Sequence, residues 1–136
     1  AEAAILLIAA GAGMLIGIAS NHKYIHQENS QLFSKPISRQ VWRFQHVAEH
    51  WEYLSIQLSC GTGEMIQNGK LAEFAPIDEI IPLISSDQSS LQHGTAVFCV
   101  GLPMLKSGKS SSSYSLKLFD QQKDQMLELY YQVRQI

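Results

Sequence analysis

The sequence predicts an α+β fold in which a long N-terminal helix, with a membrane or filament-core half and an amphipathic half, packs on a small antiparallel sheet with a C-terminal helix. Three observations predict it. An uncharged apolar run fills Ala3 to Ala19, apolar residues recur at three- and four-residue steps from Ile37 to Leu58, and two β-rich stretches precede a last helix-like pattern. A chain of 136 residues holds one compact module, divided here into an apolar helix over 1–20 and a small extracytoplasmic α+β domain over 21–136. The net charge of −2, with Lys and Arg scattered, gives no basic field for nucleic acid, which is dropped as a partner.

The first element rests on the run AAILLIAAGAGMLIGIA. As a helix it spans roughly 26 Å, the short end of what crosses a bilayer. Ala9, Gly13 and Gly17 recur every fourth residue and place small side chains on one helical face, a stripe that lets helices approach closely in lipid. A secretory signal peptide, a buried helix of a soluble domain, and the glycine-rich turn of a dinucleotide fold after Ile5 to Ile8 are the competing readings. The amphipathic half runs from Ile37 through Val41, Phe44, Ala48 and Trp51 to Leu58, with Pro36 marking a kink and Gly61 and Gly63 an end. Trp42 and Tyr53 fall on its outer side and point either to a partner surface or to packing under a loop of the same domain.

Asn68-Gly69 reads as a turn, and Pro76 opens a short helix, IDEIIPLI, limited by Pro82. Ser85 to Gly94 reads as loop. Thr95 to Leu102 is β-rich, and Tyr114, Leu116 and Leu118 alternate with polar residues, so the two stretches are expected to pair across the serine-rich loop from Lys106. From about Gln121, Met126, Leu129, Tyr130, Val133 and Ile136 form the stripe of a closing helix.

Little points to catalysis. His46, Glu49 and His50 match the H-x-x-E-H spacing of inverted zinc peptidases, with Glu128 as a formal third ligand, but Arg39 and Arg43 share that face and oppose a dication. His22 and His26 stand one turn apart without a third ligand. No nucleophile elbow or phosphate loop occurs, so no enzyme activity, resident metal or cofactor is expected. Cys60 and Cys99 form no C-x-x-C pair and are either two buried thiols or one disulfide.

A glutamate at the start of an uncharged helix, the amphipathic continuation after a proline, and a small sheet domain with two cysteines together resemble a type IV pilin or pilin-like protein. The resemblance implies a subunit of a surface filament, held in the inner membrane before assembly and extracellular after it. Its partners are copies of itself or related subunits through the N-terminal helix, with membrane lipid before assembly. Glu2 then corresponds to the acidic residue that neutralises a neighbour's amino group. The assembly residues are Glu2, Ala9, Gly13, Gly17, Trp42 and Tyr53. In that oxidising compartment Cys60 and Cys99 are expected to form a disulfide. The alternatives are a single-pass inner-membrane component of a secretion or pilus-assembly machine and a small zinc hydrolase.

Overall fold

The computed structural model describes residues 1–10, 13–21, 35–84, 94–105 and 111–133. Its architecture is a β-sandwich of two four-stranded antiparallel sheets. Sheet A holds β1 (Ala3–Ala10), β2 (Gly13–Ser20), β3 (Trp42–Arg43) and β6 (Ala96–Cys99), in the order β3-β2-β1-β6. Sheet B holds β4 (Leu54–Cys60), β5 (Met65–Lys70), β7 (Ser113–Asp120) and β8 (Gln125–Gln132), in the order β5-β4-β7-β8. A four-residue helix α1 (Phe44–Val47) and a 3-10 stretch, Ala48–Tyr53, lead into β4, and α2 covers Ile77–Ile84.

The long N-terminal helix is not there, and with it goes the α+β reading. The apolar run is an antiparallel hairpin in which Ala3 faces Ser20 and Ala10 faces Gly13. A run without charge is equally the signature of strands buried on both faces, and periodicity alone does not separate the two cases. Both faces are in fact covered. Ala3, Ile5, Leu7, Met14, Ile16 and Ile18 point into the main core, while Ala4, Leu6 and Ala19 form a second cluster on the other side. Gly13 opens β2 at φ +147°, a conformation L side chains rarely adopt. Among the described residues no helix is long and apolar enough to cross a membrane.

The expected amphipathic helix is also replaced. Ile37 bridges to Ala19, β3 pairs with β2, and only Phe44–Val47 winds into α-helix before the chain extends as β4. Phe44, Val47 and Trp51 are buried in the core, and the indole Nε1 of Trp51 donates to the carbonyl of Ala75 at 2.8 Å. Leu54 and Leu58, read as helical steps, alternate in β4 with Ile56 and Cys60 on the inward face. The closing helix is β8, whose inward residues are Leu127 and Leu129. Asn68-Gly69 lies inside β5, with Gly69 opposite Ile56, and not in a turn. The two β-rich stretches do not pair with each other: β6 joins β1, and β7 lies between β4 and β8. The short helix after Pro76 is α2, which continues past Pro82. The loop readings at 85–93 and 106–110, and His22 and His26, lie outside the described residues.

Inward side chains of both sheets make one core, in which Ile5, Leu7, Ile16 and Ile18 meet Ile56, Leu58, Leu116, Leu118 and Leu127. Each such side chain, fully buried, contributes about 1.5–3 kcal/mol relative to an exposed position. The outward face of the two central strands of sheet B, β4 and β7, is mostly polar, with Ser55, Gln57, Ser59, Ser115 and Lys117 half-buried. This is the one-sided alternation expected of an antiparallel sheet with one face in water.

Candidate functional site

Polar groups are scarce inside this sandwich, so their positions are informative. Among the described residues the buried polar ones are Ser20, Ser38, Gln67 and Asp120. A buried polar group is costly unless bonded, and each of these is bonded.

Ser20 and Gln67 belong to one end, where β1 begins and β2 finishes. The Asn21 backbone N–H donates to the carbonyl of Glu2 at 2.8 Å, which closes the hairpin's open end. The Asn21 side chain then bridges opposite charges: its Nδ2 donates to Glu2 Oε1 at 3.0 Å, and its Oδ1 accepts from Lys35 Nζ at 2.5 Å. Lys35 is brought there because the strand-like segment behind it follows β2. Ser20 N–H donates to Pro36 O at 3.1 Å, and Ser38 N–H to Ile18 O at 2.9 Å. Ser20 Oγ lies 2.6 Å from the Tyr131 hydroxyl, and the Tyr131 ring stacks on Tyr114 at 5.4 Å between centroids. Gln67 accepts from Ala3 N–H and donates to Leu102 O, both at 2.6 Å. Side chains from both sheets and from the segment before β3 therefore converge at one rim.

Cys60 ends β4 beside this rim, opposite Tyr114, with its sulfur 3.0 Å from Thr62 Oγ1. The Thr62 side chain, then the Thr62 backbone, hold the thiol below its ordinary value. Cys99 lies in sheet A, and burial pushes its thiol up. Both cysteines are free thiols.

At the far end of β7, about 20 Å away by strand rise, Asp120 is a second polar centre. Its Oδ2 accepts from His50 Nε2 at 2.8 Å and from Gln125 Nε2 at 2.9 Å, and its Oδ1 from the N–H groups of Gln122 and Lys123. Burial disfavours the charged carboxylate, but the bonds from Gln125, His50 and Lys123 outweigh it and lower the carboxyl below its ordinary value. The pair closes the β7–β8 turn onto the 3-10 stretch. The H-x-x-E-H residues form no ligand set: His46 and Glu49 are exposed, and His50 is bonded to Asp120. Among the described residues no group of three His, Cys, Asp or Glu is placed to hold a metal. Glu128 lies instead in a half-open groove of about 470 Å³ between β8 and the Ile37–Gln40 segment.

The residues assigned to helix assembly do not share a surface. Ala9 is on the inward parity of β1 and backbone-bonded to Thr95, whereas Gly13 and Gly17 are on the outward parity of β2. Trp42 packs against the core, Tyr53 is exposed, and Glu2 bonds within the chain. The filament reading and the single-pass reading both fall with the missing helix. Of the polar rim only Glu2 was picked out in the sequence. Ser20 and Asn21, the first polar residues after the apolar run, are the signal that was available for the rest.

A protein-family profile described as a protein of unknown function, DUF2848, matches residues 1–131. No curated protein and no solved structure matches the chain.

Proposed function

The chain belongs to the DUF2848 family, and from that premise and its polar rim we propose that it is a binding domain for a small polar ligand carrying an anionic group and a hydroxyl or amino donor. The observation that carries this reading is the Glu2–Asn21–Lys35 line, in which one amide holds a carboxylate and an ammonium a fixed distance apart. Asn21 uses one atom on each neighbour. Lys35 has three donors and Glu2 a second oxygen, so each retains capacity to meet a ligand of opposite sign. An isolated surface pair of this kind contributes little to stability. Here the pair is attached to a half-buried Ser20–Tyr131 bond and to the buried Gln67 brace, which fix its backbone support.

The class of ligand follows from the charges: a small hydroxy- or amino-carboxylate presents its anion to Lys35 and its donor to Glu2. The reading is one of binding, with no catalytic step. Calorimetric titration of a panel of short hydroxy and amino acids tests it. A member that binds should lose at least about tenfold in affinity, 1.4 kcal/mol, in Lys35→Met and in Glu2→Gln. Silence across the panel, or binding indifferent to both substitutions in folded protein, rejects the site.

A further inference from the structure

Among the described residues each sheet ends in two edge strands, and three of these four are blunted. β3 is two residues long and β6 four, while β5 shifts register opposite Leu58/Ser59 and ends on Lys70. Short strands, bulges and lysines are the devices by which sheets avoid pairing edge to edge. β8 has none of them. Its eight residues keep unbroken register with β7, and it contains neither Lys nor Pro. Val133 N–H reaches Ser112 O on the β7 side. By the alternation of an antiparallel ladder, the backbone groups of Met126, Glu128, Tyr130 and Gln132 then face the open edge. That edge opens into the groove whose opposite wall carries Arg39.

We propose that two copies of this chain pair antiparallel along β8, merging their B sheets across a two-fold axis. An isologous contact needs a patch complementary to itself, and this one is, because the groove carries one cation, Arg39, and one anion, Glu128. The strand sequence also complements itself. With Leu129 on the axis, Glu128 faces the partner's Tyr130, Met126 faces the partner's Gln132, and Leu127 faces the partner's Tyr131. No like charges are opposed. Centring the pair on Glu128 would set two carboxylates opposite each other, a destabilising pair, and so fixes the register away from it.

Sedimentation equilibrium of the whole chain should give a concentration-dependent species at twice 15.2 kDa. Tyr130→Pro removes an N–H that faces the open edge and none of the N–H groups that bond to β7, so it should yield a monomer with an unchanged far-ultraviolet spectrum. Glu128→Arg, at an exposed position, places four cations at the contact and should do the same, which keeps the test decisive if the proline variant does not fold. A wild-type chain that stays monomeric, or a dimer that survives a folded variant of either kind, overturns the proposal.

Discussion

Gln67 faces inward from β5 and uses both ends of its amide on backbone groups, accepting from Ala3 N–H and donating to Leu102 O. It is fully buried. Those two groups belong to the start of β1 and to the segment after β6, so one side chain joins sheet B to the β1–β6 side of sheet A. Removing a partner from a buried donor or acceptor costs about 1–3 kcal/mol per orphaned group. Gln67→Leu, close in size and free of new polarity, should therefore lower unfolding stability by about 2–4 kcal/mol in urea. It should also weaken binding at the rim, because Glu2 directly precedes Ala3. A loss below 0.5 kcal/mol, the range of ordinary surface changes, would mean the amide is replaceable by packing.

At the scale of elements, legibility followed the contrast between the two faces of each strand. β7 was readable because Tyr114, Leu116 and Leu118 point inward and alternate with the outward polar residues Ser113, Ser115 and Lys117. β8 was not. Its inward Leu127 and Leu129 share the strand with outward Met126 and Tyr130, so apolar residues recur at helical spacing although the backbone is extended. The hairpin β1–β2 failed for the opposite reason: with both faces covered there is no polar face to reveal a period of two. The rim was hidden because Glu2, Asn21 and Lys35 meet only once the hairpin closes. The two-faced burial has a test. Leu6 on the outward side is 3% exposed and Leu7 on the inward side 0%. Leu6→Ala and Leu7→Ala should each cost about 2–4 kcal/mol. In a strand with one wet face Leu6→Ala would be nearly neutral, and that result would remove the account of why the run carries no polar residue.

The molecule as a whole is closed at its two ends by different polar devices, and the far one makes it sensitive to acid. Asp120 binds the β7–β8 turn to the 3-10 stretch before β4, through His50 on one side and Gln125 with the turn amides on the other. Its carboxyl is lowered from the ordinary value because those donors outweigh the penalty of burial. A folded-state value below the unfolded one stabilises the fold wherever the unfolded carboxyl is already ionised, above about pH 4. As pH falls below that range the unfolded chain takes up the proton first, and the contribution disappears as the folded carboxyl is protonated in turn. Asp120→Asn keeps the size and an acceptor but never carries the charge. Thermal melts should therefore show wild type above Asp120→Asn at pH 7, a gap that narrows as pH falls below about pH 4 and closes once the folded carboxyl is protonated as well. His50→Leu should narrow the gap at pH 7 by removing one donor without removing the carboxylate. A gap between wild type and Asp120→Asn that is the same at pH 7 and pH 2 would show that Asp120 acts through shape alone, and that the charge at this end of the sandwich does not hold the turn.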